Sequence, residues 1–185
     1  MTTVHLVRHA EHALLGRTLA GRMPGVGLND AGRAQAARLA GLRVDAVVSS
    51  PQQRARETAA AFGMPVQVDP TWDELDFGAW SGMDFSLLDS DPGWHLWNTA
   101  RSIAPTPGGE TMLAVQARAV AGLATLRAYE SVVVVSHLDV LRAVVAHVLG
   151  MPLDFVFRLD LAPASRSMVT LWDGGARVDG LNLPA

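Results

Sequence analysis

Short runs of apolar residues recur along the chain and predict the strands of one sheet. The clearest run is four consecutive valines at residues 132–135, a pattern typical of a strand that is covered on both faces. Weaker runs of the same kind predict strands at residues 4–7, 46–48, 66–68 and 168–172. The last of these is expected to close the sheet.

Between the predicted strands, apolar residues recur at the spacing of amphipathic helices. The expected helices cover residues 30–42, 52–62, 110–128 and 140–149. Asn29 suits the N-cap of the first, Pro51 suits the first turn of the second, and Gly150 and Pro152 end the last. Because strands and helices alternate, the pattern predicts an α/β fold, a three-layer α/β/α sandwich with a mostly parallel central sheet.

One segment breaks this alternation. Residues 72–107 contain four of the five tryptophans, several aspartates and little periodicity. We interpret this segment as an inserted excursion that caps one end of the sheet, within a single domain covering residues 1–185. Ligands bind at the carboxyl ends of parallel strands, so residues 72–97 are expected to form much of a pocket mouth.

Composition narrows the possible classes of protein. The 185 residues are 49% hydrophobic and 18% charged, as in a globular domain with a proper core. The net charge of -3 gives no support for a nucleic-acid partner. Cysteine is absent, which excludes disulfides and thiol nucleophiles. All 15 basic residues are arginines, so an anion must be held by Arg, His or backbone N–H groups.

The apolar runs are too short to indicate a membrane partner. No stretch approaches eighteen consecutive apolar residues, and residues 1–6 lack the charged leader and apolar core of a signal peptide. A cytoplasmic location is therefore expected. The sequence carries no indication of the oligomeric state.

Polar residues follow two of the predicted strands directly. Arg8 and His9 follow the first strand, and Ser136 and His137 follow the valine strand. If the two strands are neighbours, their histidines lie side by side at the edge of the sheet where ligands bind. The helix after His137 would also present free backbone N–H groups to an anion.

Two further segments contribute candidate side chains. Arg54 and Arg56 lie two residues apart on a predicted helix, so one is expected in the crevice and the other in solvent. Asp73, Glu74 and Asp76 lie among aromatic residues, and apolar surroundings raise the pKa of a carboxyl group to the range of a general acid. Alone, each feature has an ordinary explanation, such as surface arginines or a solvated acidic loop.

Two arginines, two histidines and a carboxyl group together suit phosphoryl transfer. Arginine binds phosphate oxygens in a bidentate manner, and a neutral histidine attacks phosphorus to form a covalent intermediate. The positive charge stabilises the transition state, while the carboxylic acid protonates the leaving alcohol and later activates water. Because the cationic side chains supply the charge, no metal or other cofactor is expected.

The motifs resemble those of the histidine phosphatase superfamily, which includes phosphoglycerate mutases and many small phosphatases. Six segments carry the resemblance in the family's order, namely residues 6–9, 28–36, 49–59, 73–82, 107–111 and 134–137. The resemblance implies a phosphoglycerate mutase-like fold, with His9 as the phosphorylated nucleophile and Glu74 as proton donor and later base. It also implies a phosphate pocket completed by Arg8, Arg54, His137 and the backbone N–H near Leu138.

The chain departs from the family pattern at three positions. Ala10 and Leu138 replace the glycines that usually follow the two histidines, and Leu15 replaces an asparagine that helps to bind phosphate in many members. We expect Arg17 or Arg22 to compensate for the asparagine as a substrate-binding side chain.

The resemblance favours the small phosphatase branch, since the mutases are longer. The predicted activity is hydrolysis of a small-molecule phosphate monoester through a phosphohistidine. Mutase-type phosphoryl transfer and a non-catalytic phospho-ligand binding module remain alternatives. The aromatics and aspartates of residues 72–97 favour an apolar or uncharged leaving group, and His95 fits either the surface or a substrate contact.

A metal site is the third alternative. His5, His9 and His12 are closely spaced, and Asp139 follows His137 by two residues. However, His5 and His9 are four residues apart on a predicted strand, which separates their side chains. The spacing also matches no zinc signature, so no metal site is expected.

Overall fold

The computed structural model describes residues 1–184, and its central sheet has six strands in the order β3-β2-β4-β1-β5-β6. The strands are β1 (Thr2–Arg8), β2 (Ala46–Ser49), β3 (Val66–Val68), β4 (Ser131–Ser136), β5 (Arg166–Trp172) and β6 (Gly175–Leu183). The α-helices are α1 (Asp30–Ala37), α2 (Gln53–Ala60), α3 (Phe85–Leu88), α4 (Pro92–Thr99), α5 (Met112–Thr125) and α6 (Leu138–Val148). Within residues 1–184, no helix is both long and apolar enough to cross a membrane.

The sheet is mostly parallel, as predicted. Strands β3, β2, β4 and β1 run parallel to one another, whereas β5 pairs antiparallel with both β1 and β6. Val132 and Val134 pack with α5 and α6 on one face, while Val133 and Val135 pack with α1 and α2 on the other. The valine strand is therefore buried on both faces, which confirms the three-layer α/β/α fold.

The pairing of β1 with β4 positions the two strand-end histidines. In the parallel register Arg8 lies opposite Ser136, so the next residues, His9 and His137, leave the sheet at the same level. The His9 backbone N–H donates to the Ser136 carbonyl at 2.9 Å. This confirms the expectation that the histidines lie side by side if their strands are neighbours.

Side-chain caps fix the starts of two helices. The Asn29 side chain accepts from the Gly32 N–H at 2.7 Å, which confirms the predicted N-cap of α1. The predicted end at residue 42 is wrong, because the chain leaves the helix after Ala37 and turns at Gly41, which has φ +92°. Helix α5 begins two residues later than predicted, since the Thr111 hydroxyl caps the Ala114 N–H.

The expectation that residues 168–172 close the sheet is wrong, because β6 pairs with β5 beyond them. Strand β6 is an edge strand whose residues are half-buried or exposed, so its apolar signal is weak. Asp173 and Gly174 form the two-residue connection, and Gly174 has φ +85°. Asp-Gly between two strands is a strong hairpin signal, and it would have revealed β6.

Residues 72–107 contain α3, α4 and a short 3₁₀ turn at Gly78–Trp80. Trp72 and Trp97 are fully buried in the same apolar cluster as β1 and β4. The C-terminal end of the segment lies against Gly78, where an added Cβ would lie 2.0 Å from the Pro107 carbonyl oxygen. Close backbone approach at this glycine lets the chain after Glu74 pack against the backbone at Pro107.

Candidate active site

A cavity of about 220 Å³ opens beyond the carboxyl ends of β1 and β4. Its wall contains four of the predicted catalytic side chains, Arg8, His9, Arg54 and Glu74, together with Leu138 at the start of α6. His137 lies directly behind this wall, with its ring centroid 5.1 Å from that of His9. The structure therefore brings together residues that are up to 130 positions apart in the sequence.

The His9 ring is held in one tautomer. Its Nδ1 lies 2.8 Å from the Ala10 carbonyl oxygen, and because a carbonyl only accepts, Nδ1 carries the proton. Burial, followed by the Arg54 charge, holds the pKa of His9 well below its usual value. The ring is thus neutral, with an unprotonated lone pair on Nε2.

The His137 ring has the opposite tautomer. Arg54 Nη2 lies 3.2 Å from Nδ1, and because a guanidinium only donates, Nδ1 accepts and Nε2 carries the proton. That proton faces the Ser50 hydroxyl oxygen at 2.7 Å, and the Ser50 hydroxyl donates to Asp73 at 3.3 Å. Burial is the main cause that lowers the pKa of His137 well below its usual value.

Arg8 and Arg54 each have hydrogen-bond donors without an acceptor in the described residues. Arg54 is 1% exposed and donates through Nη2 to the Gly21 carbonyl, and Arg8 Nη1 donates to the Leu161 carbonyl. Nε of both arginines and Nη1 of Arg54 are buried and have no acceptor within residues 1–184. Buried unpaired N–H groups are costly, so this arrangement suits a bound anion. Arg56, as expected for its position on α2, is exposed.

Glu74 reaches the site from the acidic loop. Its Oε2 lies 3.5 Å from His137 Nδ1 and 3.8 Å from Arg54 Nη2. Burial raises the pKa of Glu74 to about 7, although Arg54 opposes this shift. A carboxyl group with this pKa is able both to donate and to accept a proton near neutral pH.

The structure does not place Arg17 or Arg22 where a phosphate-binding role was expected. Neither residue is among the side chains that line the cavity, and Arg17 is exposed. Arg22 donates from Nε to the Glu74 carbonyl at 2.8 Å and from Nη2 to Glu110 at 2.7 Å. Arg22 therefore supports the acidic loop from outside the cavity.

The three departures from the family pattern are all near the site. Leu15 and Leu138 line the cavity, where they present carbon atoms. Ala10 is buried, and its backbone N–H donates to the Thr58 hydroxyl at 3.0 Å. Leu138 is the first residue of α6, and its side chain lines the cavity. The backbone N–H groups in the first turn of α6 have no partners within the helix.

Most of the chain matches the model of a known family. The model of the histidine phosphatase superfamily (branch 1) matches residues 4–184. The chain belongs to the histidine phosphatase superfamily.

Similar proteins include phosphatases of this superfamily. The bifunctional protein Rv2228c of Mycobacterium tuberculosis is 34% identical over 189 residues, which cover 95% of this chain and 52% of that protein. The chain thus spans about half the length of that relative. The adenosylcobalamin/alpha-ribazole phosphatase of Escherichia coli is 32% identical over 134 residues, 66% of each chain. The solved structure of mycobacterial glucosyl-3-phosphoglycerate phosphatase with VO3 has a TM-score of 0.88 and 28% identity, covering 99% of this chain and 100% of that one.

This member of the superfamily has a second polar group in the cavity wall that the sequence did not reveal. Arg101 pairs with Asp139, and its guanidinium lies 3.7 Å from the centre of the Trp97 ring and 4.4 Å from that of Phe157. Arg142 lies 3.9 Å from the same carboxylate. The residues described contain no cluster of three or more His, Cys, Asp or Glu side chains that could hold a metal ion, and Asp139 is paired with arginines instead.

The rest of the wall is aromatic. Phe77, Phe85 and Trp94 line the cavity beside the Arg101–Asp139 pair. His95 lies outside this lining, is exposed, and contacts the Asp89 carbonyl at 2.7 Å. His95 is therefore a surface residue and does not contact the cavity.

Proposed function

We propose that this chain is a phosphatase that hydrolyses a small-molecule phosphate monoester through a phosphohistidine at His9. The observation that carries the proposal is the hydrogen bond from His9 Nδ1 to the Ala10 carbonyl, which leaves Nε2 free as a nucleophile. Unpaired guanidinium N–H groups of Arg8 and Arg54 in the same site support it, since they match the oxygens of a phosphate group.

In the first step, Nε2 of His9 attacks phosphorus while the bond from phosphorus to the ester oxygen breaks. Arg8 and Arg54 stabilise the charge on the nonbridging oxygens. Glu74, with its pKa raised to about 7, donates its proton to the departing oxygen, and a neutral alcohol leaves. The Ala10 carbonyl stabilises the positive charge that develops on the His9 ring.

In the second step, the Glu74 carboxylate accepts a proton from a water molecule whose oxygen attacks phosphorus. The bond between phosphorus and His9 Nε2 breaks, and the ring returns to its neutral form. Inorganic phosphate leaves and Glu74 is again protonated. His137 positions Arg54 and Glu74 through its Nδ1, and the N–H groups at the start of α6 near Leu138 add donors for the anion.

The names of the relatives support a small phosphate ester, because two of them are called alpha-ribazole and glucosyl-3-phosphoglycerate phosphatase. The aromatic wall of Phe77, Phe85 and Trp94 supports a leaving group with an apolar surface. A single domain capped by residues 72–107, a cytoplasmic location and catalysis without a metal are further parts of the proposal. Full turnover in excess chelator is the expected result for the last of these.

The test compares wild type with His9→Ala on p-nitrophenyl phosphate, with a denaturing quench at alkaline pH to trap phosphate on the enzyme. We expect wild type to form an acid-labile phosphoenzyme and the variant to lose about 10³-fold or more of kcat. His95→Ala, on the surface, is the matched control and should retain full activity. Equal turnover in wild type and His9→Ala would overturn the proposal. Phosphate binding without turnover of any ester would instead support the non-catalytic module.

A further inference from the structure

His12 is a third histidine in the cavity, and the mechanism above does not use it. It lines the cavity, is 5% exposed, and its ring centroid lies 5.2 Å from that of His9. A backbone bridge to Leu28 fixes its position. A phosphorus atom within reach of His9 Nε2 would carry its oxygens into the space beside both rings.

The surroundings of His12 are those of an anion site. Burial lowers the pKa of His12 to about 4, and the next causes are the charges of Arg54 and Arg8, which Glu11 opposes. His12 is therefore neutral at physiological pH and lines the same cavity as both arginines of the proposed phosphate site. Its Nδ1 is buried without a hydrogen-bond partner within residues 1–184, so the free protein leaves a polar atom unsatisfied here.

His12 and Leu15 are the two ends of one turn. The Leu15 N–H donates to the His12 carbonyl at 3.0 Å, and both side chains line the cavity. Ala13, Leu14 and Leu15 have apolar side chains, so His12 is the residue of this turn that can donate a hydrogen bond from its side chain. Arg17 and Arg22, which were expected to fill this role, lie outside the lining.

We propose that His12 is a further substrate-binding residue, whose ring N–H donates to a nonbridging oxygen of the phosphate ester. His12, at one end of the turn, supplies a hydrogen bond to the phosphate. The apolar side chain of Leu15, at the other end of the turn, cannot supply one. The inference rests on the proposed function, since it assumes that the phosphate group occupies the space between His9, Arg8 and Arg54. The ligand class is a phosphate dianion, whether ester or inorganic.

The test measures binding of inorganic phosphate by calorimetry and KM and kcat for p-nitrophenyl phosphate. His12→Ala and His12→Phe both remove the donor, and His12→Phe keeps a ring of similar shape. We expect phosphate binding to weaken about tenfold in both, with KM rising in parallel and kcat changing less, as for one lost hydrogen bond to a charged group. His12→Gln, which restores an N–H donor, should recover most of the affinity.

A double variant sharpens the test. In the His12→Ala background, Leu15→Asn places an amide donor at the other end of the turn and should also restore phosphate binding. His95→Ala is the matched control and should bind phosphate as wild type does. Thermal unfolding of each variant separates loss of binding from loss of folding.

Two results would overturn the inference. One is unchanged phosphate affinity and KM in folded His12→Ala or His12→Phe, and the other is equal loss in His12→Gln and His12→Ala. Failure of the proposed function is distinguishable, because it appears as undiminished turnover in His9→Ala. The calorimetric comparison does not depend on turnover and still decides the role of His12.

Discussion

The Oε2 atom of Glu74 lies 3.5 Å from Nδ1 of His137, on the same nitrogen that accepts from Arg54. Since that nitrogen is an acceptor, a protonated Glu74 can face it without two hydrogen-bond donors meeting. The acid, the buried histidine and the phosphate-site arginine therefore meet at one atom. The protonation state of Glu74 and the tautomer of His137 should therefore both affect the reaction.

Glu74 should set the alkaline limit of the reaction. Its pKa is raised to about 7, so the protonated form is present below this pH and is lost as pH rises through it. For an alkyl phosphate, whose leaving oxygen needs a proton, kcat/KM should fall as pH rises above about 7. For p-nitrophenyl phosphate, whose leaving group is stable as an anion, this decline should be much weaker. The measurement is a pH profile of kcat/KM for both esters.

Glu74→Gln provides the control for this assignment. The amide cannot donate a proton to the leaving oxygen, so kcat/KM for the alkyl ester should fall by about 10²- to 10³-fold and lose its alkaline limb. The loss for p-nitrophenyl phosphate should be smaller, because kcat/KM reports formation of the phosphoenzyme. Equal losses for both esters would contradict the role of Glu74 as the acid of the first step.

Ser50 should fix the His137 tautomer. Its hydroxyl accepts from His137 Nε2 and donates to Asp73, so Ser50→Ala removes the acceptor of a buried N–H. We expect kcat to fall about tenfold, with a small change in KM, because Arg54 and Glu74 lose a fixed partner. The measurement is steady-state kinetics on one ester.

Ser49→Ala is the matched control for Ser50→Ala. Ser49 is equally buried, but its hydroxyl donates to the Ser50 carbonyl and does not contact His137. Its kcat should stay within about twofold of wild type, as a change away from the site implies. Similar losses in both serine variants would indicate a general packing effect at the end of β2.

The sequence was sufficient to predict the parts of the fold that depend on local pattern. The valine strand, the N-cap at Asn29 and the strand-end pair of His9 and His137 follow from runs of apolar residues and from parallel pairing. Strand β6 was missed because a half-exposed edge strand has little apolar periodicity. The end of α1 was misplaced since the apolar positions continue beyond the point where Gly41 turns the chain.

The Arg101–Asp139 pair in the cavity wall could not be predicted from the sequence for a different reason. Arg101 and Asp139 are 38 positions apart, and their pairing depends on how residues 72–107 pack against α6. No local spacing indicates such a contact. His12 was noted only as a candidate metal ligand, because its proximity to Arg54 arises from tertiary packing. The contacts of Arg22 with Glu74 and Glu110 likewise depend on tertiary packing.

Arg22 should affect the acidic loop and leave phosphate binding intact. Arg22→Ala removes donors to the Glu74 carbonyl and to Glu110, two partly exposed contacts whose loss should cost about 1–2 kcal/mol of stability. We expect a lower Tm and a moderate loss of kcat, with unchanged affinity for inorganic phosphate. Arg17→Ala, on an exposed residue, should change none of these quantities. Weaker phosphate binding at full kcat in Arg22→Ala would reinstate the role predicted from the sequence.

His5 should make the fold sensitive to acid. Burial, followed by the charge of Arg166, lowers the pKa of His5 from 6.5 to about 4, so the unfolded chain binds more protons than the folded one between these values. The free energy of unfolding should therefore fall as pH decreases from 6.5 towards 4, with one such histidine contributing a slope of about 1.4 kcal/mol per pH unit.

His5→Leu removes this titration and should flatten the dependence of stability on pH by about one proton's contribution. The measurement is urea unfolding of wild type and variant at several pH values across the interval. Phosphatase activity of His5→Leu at neutral pH should match wild type, since His5 contacts Ser131 and lies outside the cavity wall. An unchanged slope in His5→Leu would show that its protonation does not differ between the folded and unfolded chain.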